Sequence, residues 1–134
     1  MSLELMRKWV ASLPPAERGL PMLHVGHVFY TPLQALREVE KGTSIGEKLQ
    51  QLVEQGRFGT DLQALARARL ELLLKKAKGY ELATLTGYAM PTDQLAEIVA
   101  REGLTNPALK LLAQADILLA KKYLELGKKL AGGG

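Results

Sequence analysis

Apolar residues recur at spacings of three and four along most of this chain, the period of a helix that buries one side. Leu33, Leu36 and Val39 share a face of a helix predicted over about 32–41, and Ile45, Leu49, Leu52 and Val53 do so over 45–55. A longer helix over 61–78 carries Leu62, Leu65, Ala66, Leu70, Leu73, Leu74 and Ala77, and another over about 93–102 carries Leu95, Ala96, Ile98 and Val99. A short helix at 3–12 uses Leu5, Trp9 and Leu13 and is stopped by Pro14-Pro15. The last helix starts at Asn106-Pro107 and runs to about Lys129, with Gly127 expected as a fraying point. Between Ala108 and Ala120 its only polar residues are Lys110, Gln114 and Asp116. A helix apolar around most of its circumference is the centre of a bundle or is shared with a partner.

Start and stop signals sharpen these boundaries. Thr31-Pro32-Leu33-Gln34, Ser44-Ile45-Gly46-Glu47 and Thr60-Asp61-Leu62-Gln63 have the spacing of a capping box. Gly42, Gly56, Gly79 and Gly103 follow the predicted helices, and Gly132 to Gly134 close the chain. Two stretches break the helical pattern. Residues 22–30 (MLHVGHVFY) read as an extended arm split by Gly26, available to pair with another chain. Residues 80–86 read as one further helical turn before Gly87 and Pro91, and 16–21 as a loop.

The fold expected is all-α: a compact bundle of about five to six short helices in a single domain over 1–134. Residues 1–30 include the N-terminal arm, and 130–134 form a Gly-rich tail. At 134 residues and 47% hydrophobic, such a chain can bury a core without staples. The absence of cysteine removes disulfides, thiolate metal sites and thiol catalysis. Glu4, Arg7 and Lys8 interrupt any leader-like apolar run, and no stretch reaches membrane-spanning length, so a cytoplasmic protein without a membrane partner is expected. One Asn, no Cys and abundant Leu, Ala and Arg fit a thermophilic source. Charge is uneven: residues 1–56 balance six basic against six acidic side chains, whereas 57–134 carry twelve against eight.

Candidate chemistry is sparse. His24 and His27 make a His-x-x-His pair, but nothing nearby completes the three or four ligands that a zinc ion needs, so a structural role is expected. Gly56-Arg57-Phe58-Gly59 has the composition of a loop that approaches phosphate through glycine amides, although each glycine also has a role beside a helix end. Asp116 stands in the most apolar stretch and must reach solvent or pair with a Lys, an Arg or a backbone donor. No Walker loop, dinucleotide fingerprint, nucleophile elbow or metalloprotease helix occurs. The expectation is a protein that is not an enzyme and needs no cofactor or metal.

Within residues 95–112, Ile98, Gly103, Leu104, Leu109 and Leu112 are spaced as the buried residues and turn glycine of a helix-turn-helix. The stretch resembles that DNA-binding motif and departs from it at Val99 and Glu102. The resemblance implies that Asn106, Lys110 and Gln114 would face bases. Two functions follow as alternatives. The first is an assembly or adaptor subunit, in a homo-oligomer or a larger complex of the kind found in virions, with Leu112, Ile117, Leu119 and Leu124 at its protein interface. The second is nucleic-acid binding through that helix pair or a basic surface. Its contacts would be Arg67, Arg69, Lys75, Lys76, Lys78, Asn106, Lys110, Gln114, Lys121 and Lys122.

Overall fold

The computed structural model describes residues 2–77, 79–83 and 88–132. Its described elements are mostly helical. In chain order they are α1 (Ser2–Ser12), α2 (Pro15–Arg18), β1 (Leu23–Val25), β2 (Val28–Tyr30), α3 (Pro32–Lys41), α4 (Ser44–Gln55), α5 (Leu62–Lys76), β3 (Glu81–Ala83), β4 (Ala89–Pro91), α6 (Thr92–Glu102) and α7 (Pro107–Ala131). The chain clusters into two compact units, one of residues 1–65 and 119–134 and the other of 66–118.

The helix starts follow local chemistry closely. Thr31 caps α3 with a complete capping box: its hydroxyl accepts from Gln34 N at 3.1 Å, and Gln34 Oε1 accepts from Thr31 N at 2.9 Å. Two starts lie one residue away from the boxes read in the sequence. Thr43, not Ser44, caps α4 by accepting from Gly46 N at 2.9 Å, and Asp61, not Thr60, accepts from Ala64 N at 3.0 Å. In each case an adjacent capping side chain competes for the same amides, and spacing alone does not rank the two. Gly42 and Gly56 take the left-handed C-cap positions of α3 and α4.

In the first unit, α3 packs against α1 and α4, and the β1–β2 ribbon lies against α4 and α3. Residues 22–30, read as an arm, close on themselves: β1 and β2 pair antiparallel with Leu23 opposite Tyr30 and Val25 opposite Val28. Gly26, at φ 62°, supplies the left-handed turn that lets three residues fold back on three. Met22, Leu23 and His24 are buried, so the first half of this stretch is core rather than appendage. The helix α2 runs into the first half of the expected 16–21 loop, and Arg18 reaches back to the end of α1, donating to Leu13 O at 3.1 Å and Ala11 O at 3.0 Å.

Residues of α1 and the end of α7 meet at Trp9. The indole is buried and donates from Nε1 to Tyr123 O at 2.9 Å. Gly127, expected to fray, lies inside an uninterrupted α7. A Cβ there would come within 2.5 Å of Val53 Cγ1 and 3.1 Å of Trp9 Cδ1, so glycine is required by close packing.

The second unit holds most of α5, the β3–β4 ribbon, α6 and the first part of α7. In the stretch 80–86, read as a further helical turn, Glu81–Ala83 is instead a strand paired with Ala89–Pro91, Leu82 opposite Met90, and residues 84–86 lie outside the described residues. Thr92 joins the ribbon to α5 by donating from Oγ1 to Ala77 O at 2.6 Å and from N to Tyr80 O at 3.1 Å. Leu70, Leu74, Leu95, Ala96, Val99, Leu109 and Ala113 are buried here. At the predicted tail, α7 continues through Leu130 and Ala131, and Gly133 and Gly134 lie outside the described residues.

Candidate functional site

The most exposed large apolar side chains of any helix lie on α7, and its local chemistry explains why the helix begins where it does. Asn106 Oδ1 accepts from Ala108 N at 2.9 Å and from Leu109 N at 3.4 Å, and Pro107 takes the first helical position. At 100° per residue the helix then divides its apolar residues between two sides. Leu109, Ala113, Ile117, Ala120 and Leu124 form the buried side. Leu111, Leu112, Leu118 and Leu119 form the other, exposed by 61%, 39%, 66% and 47%. Exposed Ala115 lies at the centre of that outward face.

This arrangement splits the four residues expected at a protein interface. Leu112 and Leu119 point outward, while Ile117 (8% exposed) and Leu124 (fully buried) belong to the core of the chain itself. Those two are therefore corrected from interface to core. Leu111 and Leu118, more exposed than either, went unrecognised. A usable signal was present: the doublets Leu111-Leu112 and Leu118-Leu119 are seven residues apart, which puts both on one side of a helix.

The basic candidates disperse. Arg69 is fully buried and makes a bidentate ion pair with Asp116, Nε to Oδ2 at 2.8 Å and Nη2 to Oδ1 at 3.1 Å. This is the partner Asp116 required, and it removes Arg69 from the surface contacts expected of it. Arg67, two residues earlier and thus on another side of α5, donates from Nη2 to Ala100 O near the end of α6. Lys75 pairs with Glu71 at 3.0 Å, Lys76 is exposed, and Lys78 lies outside the described residues. On α7, Lys110, Gln114 and Lys121 are exposed along one flank and Lys122 follows the leucine face, whereas the Asn106 side chain is committed to its cap.

His24 and His27 part company in the hairpin. His24 is buried: its Nε2 accepts from Asp61 N at 2.7 Å and its Nδ1 lies 3.2 Å from Gly26 O. Because an amide N–H only donates, Nε2 must be the unprotonated nitrogen and Nδ1 the donor to Gly26. His24 N also donates to Phe58 O at 2.9 Å, so one residue fastens the hairpin to the loop before α5. Phe58 is buried beneath that loop, the structural role open to it in the Gly56–Gly59 turn. His27 is exposed.

Among the described residues, no group of three or more His, Cys, Asp or Glu could hold a metal ion, and no helix is long and apolar enough to cross a membrane. Compared with protein-family models, with curated proteins and with solved structures, the chain has no match, and its functional reading rests on the geometry of its own residues.

Proposed function

We propose that this chain is a non-enzymatic assembly subunit that pairs with a second copy of itself through the outward face of α7. The observation that carries this reading is the unburied leucine face, since contiguous exposed apolar surface is what interaction sites present. Its order along the chain favours a second copy over an unrelated partner. The run from Leu111 to Leu119 reads Leu-Leu-Ala-Gln-Ala-Asp-Ile-Leu-Leu, nearly the same in both directions about Ala115. Two such helices crossing antiparallel at Ala115 would set Leu111 against Leu119 and Leu112 against Leu118, twice over. That reciprocity is the requirement of a two-fold interface. A small central residue lets the helices approach closely.

One helix pair buries little area, so the association should be in the micromolar range and concentration-dependent. Sedimentation velocity over a concentration series tests it. Dimerisation in the parent and a folded monomer in Leu111→Glu with Leu118→Glu support the pairing. A parent that stays monomeric throughout the series ends it.

Nucleic-acid binding is the second reading, favoured by the exposed Lys110, Gln114 and Lys121 on one flank of α7. A salt series with labelled duplex DNA tests it, with Lys110→Glu and Lys121→Glu expected to weaken binding and flatten the salt slope. An unchanged slope removes that flank from consideration.

A further inference from the structure

The first unit contains a groove of about 390 Å³ that has no part in the leucine face. One wall is α4, which contributes Lys48, Gln51 and Gln55; the other is the following loop, which contributes Arg57 and Thr60. The α4 residues stand at i, i+3 and i+7, so a single helical face supplies them. His24, Gly26, Gly59 and the apolar Val25 and Leu52 complete the lining, and neither Asp nor Glu is among the residues lining the groove. Every polar side chain on its walls can donate a hydrogen bond, and two of them are cationic.

The frame around these donors is fixed. Arg57 N donates to Leu52 O at 2.9 Å, and the His24 bonds to Phe58 O and Asp61 N hold the loop on both sides of Gly59. A Cβ on Gly59 would lie 2.4 Å from the His24 ring, so the loop backbone rests directly on the imidazole. Among the described residues neither Lys48 nor Arg57 is taken up by an ion pair. Two uncompensated cations flanking amide and hydroxyl donors, with the loop backbone held in place, form a receptor for a compact anion.

We propose that this groove binds a small phosphomonoester, with Lys48 and Arg57 contacting the phosphate and Gln51, Gln55 and Thr60 the remaining oxygens. A phosphomonoester carries roughly −1.5 to −2 charges at neutral pH, which two cations match and a carboxylate or phosphodiester matches less well. The volume is that of a small-molecule site rather than of a track for a polymer. This site is independent of α7 pairing, and either can fail without the other.

The test is a ¹H–¹⁵N correlation titration of the full chain with inorganic phosphate, with acetate and sodium chloride as parallel arms. Saturable shifts at Gly26, Gly59 and Thr60 that phosphate causes and chloride and acetate do not are the expected result. Lys48→Gln and Arg57→Gln, both at exposed positions, should each weaken phosphate binding about tenfold, the size of one charge-assisted contact. The unchanged remainder of each spectrum would show that the fold is kept. Non-saturating shifts shared equally with chloride overturn the proposal, as does phosphate affinity indifferent to both substitutions. Shifts in the groove with a single-stranded oligonucleotide but none with phosphate would overturn it in favour of a polymer.

Discussion

The two sides of α7 use the same residue types for opposite ends. Leu109 and Leu124 are buried to completion or nearly so, while Leu111 and Leu118, on the same helix and no different in hydropathy, expose about two-thirds of their surface. What separates them is the surroundings. On the inner side Leu124 shares the core with residues of α1 and α4, and Leu109 lies among the buried residues of the second unit. On the outer side Leu111 and Leu118 stay mostly open. A leucine thus stabilises this fold or equips it for contact according to a rotation of less than half a turn.

Substitutions at the extremes should break or sharpen that contrast. The largest effect belongs to Asp116→Ala, which removes the carboxylate paired with the buried Arg69 guanidinium and should cost about 3–5 kcal/mol of stability in chemical denaturation. Leu124→Ala should follow at about 2–5 kcal/mol, since it opens a cavity where the side chain is fully enclosed. Thr31→Ala, which removes one half of the α3 capping box, should cost about 1 kcal/mol. Leu118→Ser should change stability by no more than about 0.5 kcal/mol and yet weaken self-association in sedimentation. If Leu118→Ser proved as damaging as Leu124→Ala, the two sides of the helix would not differ as described.

How much of this could be read beforehand depends on how local the cause is. The bounds of α3, its Thr31 box and the Asn106-Pro107 start of α7 were legible because neighbouring residues decide them. The need for an Asp116 partner was legible too, as a matter of desolvation; the choice of Arg69 was not, because the two are 47 residues apart. The hairpin at 22–30 was missed because Gly26 reads equally as an interruption and as a turn. The split of α7 was missed because its apolar residues extend around the helix, so periodicity alone gives no preferred side. Arg67 and Arg69 could have been separated from the start, since residues two apart on a helix do not face together.

The Trp9 bond to Tyr123 has a consequence for synthesis. The chain is made from its N-terminus, yet the first unit takes in both residues 1–65 and residues 119–134. The cavity shaped around the indole is closed by Tyr123 and Gly127, which leave the ribosome more than a hundred residues after Trp9. Its helices can form early, but the unit cannot close until residues 119–134 have been made. Trp9 is the only tryptophan in the sequence, so its fluorescence would time that closure directly.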